Sequence, residues 1–189
     1  MTDFVDELLR EHGEIRRILR VVDQQLHHLG DAPQTVDLDL LRDAMHFLTR
    51  YPDLFHHGCE DVVFRRLHQR DGEAREFIRD LSREHGLLRD LGLEFLGLCE
   101  IAPDGKTVQS TRLMSIGRRY LLAQHRHMRK EEETVFPRIR SYLGAEDWAE
   151  IQLDLERMAA WRVDADMMRE QFSSLHAYLA QGQESREDC

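Results

Sequence analysis

A chain of 189 residues with a formal net charge of −10 is long enough to bury one sizeable core without cross-links. The acidic balance argues against nucleic acid or an anionic membrane as partner, because phosphate contacts are made by Lys and Arg. Only four prolines, scarce β-branched runs and a preponderance of Leu, Arg, Glu, Met and Ala predict an all-α protein.

The first residues, Met1 to Glu7, carry neither a basic region nor an apolar stretch, so no signal peptide is expected. No 18-residue apolar run exists to span a membrane. Cys59, Cys99 and Cys189 are odd in number and form no Cys-x-x-Cys pair, which suits a reducing, cytoplasmic location. Cys59, one residue before Glu60, reads as a small buried thiol.

Helix one is predicted from an N-cap at Thr2 or Asp3 to His28, with Phe4, Leu8, Ile15, Leu19, Val22 and Leu26 on one stripe and His12 filling its gap. Gly30-Asp31-Ala32-Pro33 ends it. Helix two spans Leu38 to Gln69, and Pro52 kinks or breaks it into an entry segment and a second segment. Helix three covers Gly72 to Ile101, with Phe77, Leu81, Leu88, Phe95 and Cys99 on one face and His85 among them. Ala102-Pro103-Asp104-Gly105 forms a turn. Helix four runs from Thr107 to Leu143, with Leu113, Ile116, Tyr120, His127, Glu131 and Val135 inward and Pro137 distorting its last turn. Gly144 closes it. Two shorter helices follow, Glu146 to Met158 and Val163 to Ala180, before a polar tail from Gln181 that is expected to fray. Short loops between long helices imply an antiparallel up-and-down four-helix bundle over residues 1–143, with residues 144–189 as a helical extension.

One pattern occurs twice along these helices: a lone histidine, then His-x-x-x-Glu on the next helix. The copies are His12 with His56 and Glu60, and His85 with His127 and Glu131; corresponding histidines lie 73 and 71 positions apart. Each of these groups occupies a position where the helical pattern calls for an apolar residue, and residues four apart share a helix face. Polar groups aimed into a core are costly unless something neutralises them, and imidazole with carboxylate suits iron, manganese or zinc.

Neighbouring candidates sort by face. The face of His56 continues through Val63, Phe64 and Leu67, whereas that of His57 runs through Asp53, Asp61, Arg65 and His68, which places His57 and Asp61 outside or at the edge. His127 is preferred to His125, which has Arg129 four residues on, and Glu131 to Glu132. His27, His28, His46, His68 and His176 lack a carboxylate in register and read as surface or capping side chains. Tyr120 reads as a core tyrosine. Gly13 and Gly86 follow the two lone histidines; they serve either close helix approach or access by a small molecule, or they are tolerated at exposed positions. Four imidazoles, two bridging carboxylates and a shared oxo or hydroxo bridge would give each of two metal ions five ligands and leave a position open for an exogenous ligand.

These residues resemble the hemerythrin-like, or HHE cation-binding, domain in its bacterial form. Tyr51-Pro52-Asp53-Leu54-Phe55-His56-His57-Gly58-Cys59-Glu60-Asp61 is similar to that family's kinked second helix. The resemblance implies a non-haem centre of two iron ions, ligated by His12, His56, Glu60, His85, His127 and Glu131, that binds or senses O2, NO or peroxide. Oxygen carriers of the family use a further histidine four residues after the helix-three ligand; Arg89 stands there. Sensing, scavenging or iron handling therefore fits better than reversible transport. The alternative is an enzyme turning over peroxide. A monomer or weak homodimer is expected.

Overall fold

The computed structural model describes residues 4–52, 56–101 and 107–159, together with residues 172, 175, 178 and 179. The expected N-cap at Thr2 or Asp3, the turn at 102–105, Cys189 and most of the second C-terminal helix and tail lie outside these residues. Among the described residues every regular element is helical.

Helix α1 spans Phe4–Asp31, three residues beyond the predicted end. A single 3-10 turn, Pro33–Thr35, leads to α2, Leu38–Tyr51. Asp37 caps α2 by accepting a hydrogen bond from the Leu40 N–H at 2.9 Å, while its own N–H donates to the side-chain amide oxygen of the buried Gln25 at 2.8 Å. The α-helix ends where Pro52 was expected to kink or break it: α2 stops at Tyr51, Pro52 and His56 are π-helical with right-handed helical backbone angles, and α3 runs His57–Arg70. Pro52 offers no N–H to the Leu48 carbonyl one turn back; the Tyr120 hydroxyl donates to that carbonyl instead, at 3.4 Å. Helix α4 covers Ala74–Ile101 and α5 covers Thr107–Lys130.

The predicted fourth helix departs from one continuous rod. After Lys130 a π-helical turn, Glu131–Val135, widens the backbone, closed by the Phe136 N–H bonding to the Glu131 carbonyl. Helix α6, Phe136–Tyr142, continues from it. The cause lies at Pro137, which gives the Glu133 carbonyl no α-helical donor, so the strain is relieved one turn upstream rather than at the proline. Gly144 then starts α7, Ala145–Ala159: Asp147 reaches back to the Gly144 N–H at 3.0 Å, the reciprocal half of a helix-start cap.

Helices α1 and α4 each pack against both α2 and α5, and α3 packs against α4, α6 and α7. The apolar interior falls into two clusters. One gathers Ile15, Leu19, Val22, Leu48, Leu91, Phe95, Ile116 and Tyr120; the other gathers Val5, Leu8, Val63, Phe64, Leu67, Leu81, Val135 and Ile139, with Ile151 and Leu155 from α7. His12 stands between Leu8 and Ile15 on α1, and Glu131 between Met128 and Val135, so a polar layer separates the clusters. Phe77 departs from the predicted inner face of α4, being 36% exposed. No described helix is long and apolar enough to cross a membrane.

Candidate metal centre

His12, His56, Glu60, His85, His127 and Glu131 come together in the polar layer, all buried. The two carboxylates lie between two pairs of imidazoles. His12 and His56 form one pair and His85 and His127 the other, each with ring centroids 4.8 Å apart. Glu60 turns Oε1 toward His12 and His56, at 3.8 and 3.3 Å from their Nε2 atoms, and Oε2 toward His85 at 3.6 Å. Glu131 turns Oε2 toward His12 at 3.3 Å and Oε1 toward His85 and His127 at 3.7 and 3.2 Å. Each carboxylate thus presents one oxygen to each pair.

Among these inner atoms, Nε2 of His12, His85 and His127 and both oxygens of Glu60 and Glu131 are buried without a hydrogen bond; outside the layer, among the described residues, only His28 Nδ1 is in the same state. Leaving a buried polar group unsatisfied costs about 1–3 kcal/mol. Several at one point would consume a domain's net stability of roughly 5–15 kcal/mol. The residues therefore fit a cationic guest: all five orphaned groups are lone-pair donors aimed at shared space.

The opposite nitrogen of each imidazole is held by an outer carboxylate. His12 Nδ1 lies 2.7 Å from Glu132, His56 Nδ1 2.7 Å from Glu11, His127 Nδ1 3.1 Å from Glu84, and His85 Nδ1 3.6 Å from Asp61. Such partners fix the tautomer with hydrogen on Nδ1 and leave Nε2 as the inward donor. Arg16 in turn donates to both oxygens of Glu132 at 2.7 Å, Lys130 to Glu84 at 2.9 Å, and the Tyr51 hydroxyl to Glu11 at 3.2 Å.

The electrostatics follow from this packing. Burial pulls the His12 imidazole down, but Glu131 and Glu60 outweigh it and push it up to about 10. Burial likewise opposes His85, which Asp61, Glu131 and Glu60 raise to about 10, and His127, which Glu131 and Glu84 raise to about 9. Burial would raise the Glu131 carboxyl, yet the surrounding imidazoles hold it well below the usual range. A metal cation would compete with protons for these lone pairs.

His57 corrects the expectation of a side chain outside the site or at its edge. It is buried, its ring stacked on His85 with centroids 4.0 Å apart and planes 16° from parallel. Face sorting followed the four-residue row from His57 through Asp61 and Arg65, whereas His57 also stands three and seven residues before the buried Glu60 and Phe64 of α3 and shares their face. Asp61 is exposed as expected, yet it faces His85. Glu132, ranked below Glu131, holds the outer side of His12 instead. Arg89 is exposed. Tyr120 sits in the apolar cluster, accepting a hydrogen bond from Gln124 at 3.0 Å, and Cys59 is buried. A Cβ on Gly13 or Gly86 would meet nothing within 4 Å, so close helix approach is not their role.

The outer glutamates escaped sequence reasoning although a signal was present. Arg10-Glu11-His12-Gly13 and Arg83-Glu84-His85-Gly86 are the same tetrapeptide, and each glutamate serves the second histidine of its own half. Asp61 and Glu132, which directly follow the inner glutamates, cross to the lone histidine of the other half.

The family described as the hemerythrin HHE cation binding domain has a model that matches residues 3–139. Comparison with curated proteins and with solved structures gave no match.

Proposed function

Because the chain belongs to the hemerythrin HHE cation-binding domain family, we propose that its buried cluster holds two iron ions and that it binds or senses a small molecule, O2, NO or peroxide, at them. In this reading the helices form an antiparallel up-and-down four-helix bundle. His12 and His56 hold one ion, His85 and His127 the other, and Glu60 and Glu131 bridge. The observation that carries the reading is the set of inner atoms, three of the four imidazole nitrogens and all four carboxylate oxygens being without hydrogen bonds, arranged as two imidazole pairs with an oxygen of each carboxylate turned to each pair.

Reduced iron there would supply electrons to a bound small molecule. The chain's own residues do the rest. The outer carboxylates keep the imidazole protons on Nδ1, so that every Nε2 stays available. Arg16 and Lys130 balance part of the added negative charge. The apolar clusters on both sides exclude bulk water, which strengthens each charge interaction within the layer.

The test is the iron content and optical spectrum of the purified protein, followed by NO or peroxide added to its reduced form. Two irons per chain and a stable NO adduct support the reading. Rapid peroxide consumption without a lasting adduct shifts it to the enzymatic alternative, and a folded protein that takes up no metal refutes both. Replacing Glu60 or Glu131 by alanine abolishes loading of the ion pair; full iron content in either variant would remove the bridging assignment.

A further inference from the structure

One buried imidazole in the polar layer has no task in that scheme. We infer that His57 is an additional nitrogen ligand to the ion on the His85–His127 side, so that the two ion positions are inequivalent. This rests on the di-iron reading above.

The geometry separates the donors unevenly. His57, Glu60, His85 and His127 are all buried and each offers a ligand atom, with these atoms within 4.8 Å of one another. His12, His56 and Glu60 form a second such group, so Glu60 belongs to both. The His57 ring stacks on His85 and meets His127 edge-on, with centroids 5.7 Å apart and planes at 89°. Three imidazoles converging with a shared carboxylate is an arrangement suited to a single cation.

The two halves differ at the position after the paired histidine. The residue after His56 is His57, whereas the residue after His127 is Met128, buried at 1% exposure in the apolar cluster. The doubled pattern is kept at the paired donors and broken here, with a polar ring at 6% exposure on one side and a thioether on the other.

The experiment uses protein loaded with iron-57 and Mössbauer spectroscopy of the unliganded protein, comparing wild type with His57→Phe and His57→Gln. Phenylalanine keeps a ring to stack on His85 but carries no donor, which separates ligation from stacking. The wild type is expected to give two quadrupole doublets of equal area. In the variants one doublet shifts while the other stays, or one iron per chain is lost with helical content retained. A single doublet from the wild type overturns the inference, and so do variants that keep two irons with both doublets unchanged. If neither variant folds, the wild-type spectrum alone decides. A wild type that binds no iron fails the di-iron reading itself, a different outcome from either.

Discussion

At the scale of single residues, each paired histidine is oriented from its outer nitrogen, and the carboxylates that do so divide by strength of contact. Glu11 and Glu84 make hydrogen bonds to His56 and His127, and Asp61 stands off from His85 at 3.6 Å. Removing a carboxylate that orients a metal-bound imidazole typically weakens metal affinity by roughly 10–100-fold. Glu11→Gln and Glu84→Gln should each fall in that range, measured by competition with a chelator of known affinity, while Asp61→Asn should change it least. The inner donors were legible from sequence because helical spacing made them intruders on apolar stripes. The outer carboxylates were not, since Glu11 and Glu84 lie on charged faces where a glutamate in water and one folded over a histidine have the same spacing. His57 was misplaced for a different reason: its four-residue row through Asp61 leads to solvent, while Glu60 and Phe64, three and seven residues on, are buried on the face it shares.

At the scale of elements, glycines and caps decide how the helices meet. An added methyl at Gly13 or Gly86 meets open space, and both lie inside helices, so alanine there should raise stability by about 0.4–1 kcal/mol each in denaturant unfolding. Gly117 is the opposite case: a Cβ would lie 2.7 Å from Leu26 Cδ1 and 2.8 Å from Phe95 Cζ, where α5 crosses α1 and α4. Gly117→Ala should cost about 1–3 kcal/mol through overpacking, and an unchanged midpoint would show that the crossing can relax. Helix α7 is tied to α3 through Asp147, which accepts from Arg66 Nε at 2.6 Å and Arg70 Nε at 2.7 Å. Burial would raise this carboxyl, but Arg70, the Gly144 N–H and Arg66 outweigh it and hold it below its ordinary value of 3.8. Its contribution is therefore present above about pH 3.8 and lost as pH falls through the lower folded value. Asp147→Asn should be less stable than wild type at neutral pH, and the two should converge in strong acid. Parallel acid-unfolding curves would contradict this.

At the scale of the whole molecule, the polar layer lies between two apolar clusters that would otherwise form one core. Iron removal should leave that layer uncompensated. A ligand present at 1,000 times its dissociation constant stabilises the native state by about 4 kcal/mol. For a chain of this size that corresponds to roughly 8–16 °C in melting temperature. Calorimetry before and after chelation should show a loss of that order, and equal melting temperatures would mean that protons alone satisfy the cluster. The helical class and the end of α2 at Pro52 were readable in the sequence because they depend on composition and one residue's covalent geometry. The π-helical turn at Glu131–Val135 was not, because the backbone distributes the effect of Pro137 over a turn that the proline itself does not occupy.

Two of the four outer carboxylates are exchanged between the halves: Asp61 of the first faces His85 of the second, and Glu132 of the second holds His12 of the first. That is the contact pattern of two identical subunits facing each other across an axis, written here into one covalent chain. Covalent union changes what substitution can achieve. In an assembly of identical copies every replacement appears twice, and the two sides of a shared centre stay alike. In a single chain each half varies on its own, and His57 opposite Met128 is such a departure, made on one side alone.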